Sequence, residues 1–474
     1  MRSKSFILFI SMLFMLTVTA CSGIGGSTSD KGNTSDKGST SDNGNTSNYI
    51  NTSNEENASK VDNTNSEEKA NDKPSNREIV LLNDNTNAAR NQLMTEDIKY
   101  FQEELPKCHK NLFSKISKEE FNDRTEQLIE RIDQLNNYQV FVELNKIIAS
   151  VGDAHTTVNY WDGYTYPLQF WILDGDAYIV NADKKLEGMM YSKVLKINGT
   201  DIHSVLEQLT SLISYENESW VYAMLPNYLQ SPVYMYGLGI VQDEQQAVFT
   251  VQKGKEMKDY TVTALDYGET ANLVNNKTED VLIDKFEKYY KYIYMAKQNA
   301  LYFQYNVCAD MEDQSFKKFN QGMFEAIEGK KLNKIIVDLR NNSGGNSEVL
   351  NPFTKQLKSY AKKHPEVKVY LLVGRNTMSS GMFAIYRVKE VAPKAISIGE
   401  PTGGALDCYG DIKTFNLPNS QIPINYSTKY FEFSKSFGYK NTGVDTFLPD
   451  VLFQPTIQDY VNEKDAVLEY VLKQ

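Results

Sequence analysis

The sequence predicts an α/β fold: an α/β core over residues 299–474, a helical region over 77–159 and a small β-rich region over 160–298. Two observations predict it. Short, wholly apolar runs such as Ile335–Val337 alternate with segments of helical periodicity in the last third of the chain, the pattern of strands buried between helices. Apolar residues recur at helical spacing between Ile98 and Ile147, whereas short strand-like runs and an Asn-Gly turn follow Tyr160. A chain of 474 residues has room for more than one compact core.

The start of the chain has a different character. Arg2 and Lys4 precede an apolar stretch from Phe6 to Val18, and Thr19, Ala20 and Cys21 follow. A short basic start, an apolar stretch and small residues at a cut site make an export signal over 1–20. The stretch falls short of the roughly 20 apolar residues of a membrane span. Val18-Thr19-Ala20-Cys21 resembles a bacterial lipobox, which implies a lipid on Cys21 and a membrane-anchored, extracytoplasmic protein. From Cys21 to 76 the chain is mostly Ser, Thr, Asn, Asp, Gly, Glu and Lys, with Thr-Ser pairs at Thr28, Thr34, Thr40, Thr46 and Thr52. Such a segment has almost nothing to bury against its ordering entropy and reads as a flexible tether.

Order is expected from about Arg77. Thr95-Glu96-Asp97 reads as a helix start, with Ile98, Phe101 and Leu105 on one side. Ser117 and Glu120 form a capping-box pattern ahead of Phe121, Leu128, Ile132 and Leu135. A third helix is expected from Tyr138 to Ser150, with Val140, Leu144 and Ile147 inward. Beyond it, Tyr178–Val180 and Lys193–Ile197 read as strands, Asn198-Gly199 as a turn and Ile202–Ile213 as a helix. That order resembles the second half of a PDZ domain, without a glycine-rich carboxylate-binding loop. In the core, strands are expected at Leu301–Val307, Ile335–Leu339, Val367–Val373 and Ala395–Ile398, and helices at Phe316–Ile327 and Ser380–Val391.

Composition narrows the function. The net charge is −11, and it becomes two units more negative once Arg2 and Lys4 leave with the signal. No basic stripe stands out, so nucleic acid is not an expected partner. Cys108, Cys308 and Cys408 remain after Cys21, an odd number and too few for a disulfide framework. No His/Cys/Asp/Glu cluster has metal-ligand spacing, and no cofactor is called for.

Three segments carry chemistry. Arg375-Asn376-Thr377-Met378-Ser379-Ser380-Gly381 joins a buried strand to a helix, where free N–H groups and the helix dipole favour a developing anion. A serine there is a nucleophile or a helix cap. Asp338 to Gly345 ends another buried strand, and its glycines suit either a backbone oxyanion hole or a plain turn. Gly152-Asp153-Ala154-His155-Thr156 sits between a helix and an extended segment. The other three histidines, His109, His203 and His364, read as solvent-facing.

With Gly399-Glu400-Pro401-Thr402-Gly403-Gly404 and Pro449-Asp450, these segments resemble, in order, the tail-specific or carboxy-terminal processing serine peptidases, which include the tricorn core. The resemblance spans about residues 95 to 455. It implies a crotonase/ClpP-like α/β catalytic core, Ser379 as nucleophile, and Gly344, Gly345 and Ser380 around the oxyanion. It also implies a peptide or unstructured protein tail as substrate, cut by acyl transfer. Many members use a Ser-Lys dyad, but Gly403-Gly404-Ala405 stands where that lysine is expected, so the histidine-based branch with His155 as base fits better. The acid that orients the histidine in that branch is missing from its usual place, which leaves Glu432, Asp445 and Asp450 as candidates. An inactive peptide-binding lipoprotein on the same scaffold is the alternative.

Overall fold

A computed structural model describes residues 85–159, 163–266, 269–274, 288–438 and 445–474. The signal, Cys21, the tether and the Lys440–Val444 stretch lie outside the described residues. Three helices come first: α1 (Ala88–Cys108), α2 (Lys118–Glu130) and α3 (Asn137–Ala149). The helix expected from Thr95 begins seven residues earlier. Asn87 caps it by accepting from the Ala89 and Arg90 N–H groups. Thr95 lies inside it and bonds back to Asn91 O, while the Asp97 carboxylate accepts from the backbone of Asn419 and Ser420. The acid that reads as a first-turn residue is thus a buried tertiary anchor. Ser117 caps α2 by accepting from the Glu120 N–H, one half of the expected capping box, while the Glu120 carboxylate takes Arg124 instead.

After β1 (Thr157–Val158), a sheet forms from β2 (Leu168–Leu173), β3 (Asp176–Ala182), β4 (Lys193–Ile197), β6 (Gln246–Lys253) and β7 (Glu256–Thr263), in that order, with β5 (Thr200–Asp201) beside β4. Helices α4 (Ile202–Thr210), α5 (Glu218–Gln230) and α6 (Pro232–Gly237) lie between β5 and β6 in the chain. These elements share one apolar core with α1–α3: Phe101, Phe121, Phe141, Ile179, Val205 and Phe249 are all buried within it.

The last region is a six-stranded sheet ordered β15-β12-β11-β10-β9-β8. Its strands are β8 (Tyr290–Met295), β9 (Ala300–Tyr305), β10 (Lys334–Asp338), β11 (Lys368–Val373), β12 (Ile396–Gly399) and β15 (Val451–Leu452). All pairings are parallel except β8 with β9. Crossover helices α7 (Phe316–Glu325), α8 (Asn351–Lys363) and α9 (Ser380–Val391) connect β9 to β12. Each crossover steps the same way along the sheet, so all three helices pack on one face, with Phe316, Phe353 and Met382 against Leu301, Phe303, Val337 and Leu371. Tyr302, Ile336, Tyr370 and Leu372 point the other way, onto Val467 and Val471 of α10 (Ala466–Lys473). Both faces are covered, which is why these strands read as continuous apolar runs.

A hairpin of β13 (Asp407–Asn416) and β14 (Pro423–Glu432) escapes sequence analysis, because its alternation is broken along much of its length. It leaves the parallel sheet, pairs with β1, and lays its turn on α1 through the Asp97 bonds. The segment just before β1 carries His155.

Candidate active site

Strands β10 and β11 are parallel neighbours, so the loops that leave their carboxyl ends emerge side by side. Thr377 ties them together: its Oγ1 accepts the Gly374 N–H and donates to Leu339 O at 2.8 Å. The Met378 N–H is bonded to Asn342 O at 2.9 Å. Held at both ends, the chain turns sharply at Ser379, which has φ +52° and ψ −124° and immediately precedes α9. A non-glycine residue at positive φ is strained, and the surrounding hydrogen bonds hold it there.

Gly344 lies directly against this serine. A β-carbon on it would stand 2.7 Å from Ser379 Cβ and 3.1 Å from both Ser379 Oγ and Ser380 N, and its φ of +115° favours glycine in any case. The Gly344 N–H is itself taken up by Asn342 Oδ1 at 3.0 Å. The N–H groups of Gly345 and Ser380 have no acceptor among the described residues. Ser380 is buried and its hydroxyl donates to Gly345 O at 2.5 Å, whereas the Ser379 hydroxyl makes no capping bond. Asn342, absent from the sequence candidates, organises the glycine loop: besides Gly344 and Met378 it bonds Tyr305 O and the Cys308 thiol.

His155 stands in a second cluster. It is 2% exposed, and Asp153, two residues before it, is 1% exposed. Asp153 Oδ1 accepts the His155 backbone N–H at 2.9 Å and lies 3.7 Å from His155 Nδ1. Its Oδ2 accepts from Thr156 Oγ1 at 2.6 Å and bonds His109 Nε2 at 3.0 Å. Burial alone would push this carboxyl up, but the bonds from His109 and His155 outweigh it and hold the group well below the usual carboxylate range. Glu216 goes the other way: burial first, then the Asp153 charge, push it well above that range. Its Oε1 accepts the Ala154 N–H and its Oε2 is sealed from solvent without a partner among the described residues. Ligand atoms of Asp153, His155 and Glu216 lie within 4.8 Å of one another. Asp153 is already taken by three donor groups, while burial and the Asp153 charge push the Glu216 carboxyl up.

Of the acids considered from sequence, Asp450 pairs with Lys389 and accepts from Ser397, and Glu432 is exposed beside Lys435. Asp445 is half-buried and acts electrostatically on Glu216. The acid next to the imidazole is Asp153, whose signal was its place two residues before the histidine. His109, expected on the surface, is buried. The segments beside the two clusters share one loop: Asn217, next to Glu216, bonds Gly403 O through Nδ2, and the Gly404 N–H bonds Thr377 O. Among the described residues, no hydrogen bond joins Ser379 Oγ directly to the His155 ring. Lys413 is exposed on β13.

Comparison with solved structures gives the fold. The structure of mature CPAF complexed with lactacystin matches at TM-score 0.57 and 12% identity, covering 81% of this chain and 97% of that one. The chain has the CPAF fold. A second structure of mature CPAF matches at TM-score 0.54 and 11% identity, over 81% of this chain and 96% of its own. The photosystem II D1 C-terminal processing protease aligns over 80% of this chain and 96% of its own at 12% identity, with a TM-score of 0.39. No family model and no curated protein matches the sequence.

Proposed function

We propose that this chain is a serine-type peptidase that hydrolyses peptide bonds by acyl transfer, without a cofactor. The reading rests on one observation above the others: Ser379 is held at positive φ at the head of α9, against a glycine whose missing side chain leaves room at its hydroxyl. Ser379 attacks the carbonyl, and His155 takes its proton. Asp153, ionised at 3.7 Å, orients the imidazole and stabilises its charged form. The Ser380 and Gly345 N–H groups receive the oxyanion, and Gly344 makes the space for it. His155 hands that proton to the departing amine as the C–N bond breaks, and, neutral again, it activates the water that releases the acyl group from Ser379. The substrate is a peptide or unstructured protein tail.

Treatment with a fluorophosphonate probe tests this. The adduct is expected on the peptide carrying Ser379 and should vanish in Ser379→Ala. Ser380→Ala, which keeps its backbone N–H, should slow labelling only about tenfold. A folded protein that takes up no probe would refute the mechanism and point to the inactive peptide-binding reading. We further propose that Cys21 anchors the chain by a lipid at the extracytoplasmic face of the cell membrane, on the strength of the lipobox. Cys21→Ala should appear in the soluble fraction; its retention in membranes would overturn the anchor.

A further inference from the structure

We propose that His109 is a positioning residue of this site, a second histidine that holds the Asp153 carboxylate in the plane from which it orients His155. The inference rests on the mechanism just proposed. His109 follows α1, and its side chain is fully enclosed. The Asn111 N–H donates to its Nδ1 at 3.0 Å, so that nitrogen is an acceptor and the ring proton sits on Nε2. Nε2 is 3.0 Å from Asp153 Oδ2 and therefore donates to it.

The tautomer is thus set by a backbone amide, and the imidazole passes that constraint to the carboxylate. Asp153 has the Thr156 hydroxyl as its other side-chain donor on Oδ2, while Oδ1 receives the His155 backbone N–H and faces the His155 ring. Without His109, Oδ2 keeps one donor and the carboxylate loses its support on the side away from His155. The hairpin closes the arrangement: the Tyr409 ring lies 5.2 Å from that of His109, and Asn111 Nδ2 bonds the Tyr409 hydroxyl. The other charged or titratable groups near Asp153 are Glu216 and the Cys408 thiol, with Asp445, Asp407 and Lys115 beyond them. None of these donates a hydrogen bond to Asp153 among the described residues.

The test is the rate of fluorophosphonate acylation against pH and probe concentration. His109→Leu should lower the limiting rate about 10- to 100-fold, the effect of removing a partner that orients a reacting group. Half-saturation by the probe should not change, and the acid limb should move upward as Asp153 loses a donor. His109→Gln, which restores an N–H donor, should recover most of the rate. The double variant His109→Leu/Asp153→Asn should be no slower than Asp153→Asn alone, because one residue acts through the other. A folded His109→Leu with the wild-type rate and pH profile, or a double variant in which the two losses multiply, overturns the role of His109. Unchanged acylation in Asp153→Asn would instead remove Asp153 from the mechanism, and His109 with it. Should His109→Leu fail to fold, imidazole 15N signals of the wild-type protein decide: the proton on Nε2 supports the inference and the proton on Nδ1 refutes it.

Discussion

Replacing Gly344 with alanine tests the serine site without touching any titratable group. The new β-carbon would meet Ser379 Cβ at 2.7 Å and Ser379 Oγ and Ser380 N at 3.1 Å each. Two effects add. An alanine at φ +115° carries strain of about 1–3 kcal/mol. The 2.7 Å contact is closer than real β-carbons approach, and the atom it meets belongs to the backbone-fixed Cβ of a strained turn, so Ser379 must move. The methyl also stands over the Ser380 N–H. Loss of one oxyanion donor costs about 10²–10³ in rate, or about 2.7–4 kcal/mol of barrier. Gly329→Ala is the internal control: its φ is +70° and nothing lies within 4 Å of the added carbon. That variant should lose about 1–2 kcal/mol of stability and keep its activity. Urea unfolding measures the stability of both, and the rate of fluorophosphonate acylation measures the site. A folded Gly344→Ala protein that acylates as fast as Gly329→Ala would refute the placement of the oxyanion beside Gly344.

Two further outcomes follow from the buried acids. Glu216 titrates higher in the fold than in the unfolded chain, so its stabilising contribution is full below about pH 4.3, the unfolded carboxyl value, and is lost as pH rises toward its folded pKa. Glu216→Gln should therefore gain stability relative to wild type as pH rises across that window; a difference in urea midpoint that stays flat from pH 4 to 8 would contradict it. Arg340 is bonded at both ends of its guanidinium by Asp338 and Asp465, with all three side chains buried. Arg340→Leu leaves two buried carboxylates uncompensated and should cost about 3–5 kcal/mol, and a loss below about 1 kcal/mol would show the triad to be dispensable.

Local physics made much of this legible in the chain itself. Ile335–Val337 and Val369–Val373 could only be strands buried on two faces, and the residues after them had to emerge together at one sheet end. The helix from Ser380 to Val391 and the place of a serine at its head follow from that strand–loop–helix order, whereas the positive φ of Ser379 is set by the bonds that Thr377 and Met378 make to the neighbouring loop. Inward residues of the first helices were set by their spacing, as Phe101, Leu105, Val140 and Leu144 show.

The partners of Asp153 beyond its own loop were decided only by tertiary structure. Asp153 and His109 are 44 residues apart in the chain, and Glu216 joins them from a third segment. Sequence spacing carries no record of such a meeting, because the charge state of each group depends on which others are buried with it. The Asp153 and Glu216 carboxyls differ little in water; in the fold, bonds from two imidazoles outweigh burial and pull one down, while burial and the charge of the first push the other up. Helix α1 shows the same limit, since Thr95-Glu96-Asp97 satisfies the rules for a helix start but is overridden by an earlier cap and by the hairpin that needs Asp97. A one-dimensional pattern reports what a segment buries, and only the folded chain settles what it is buried against.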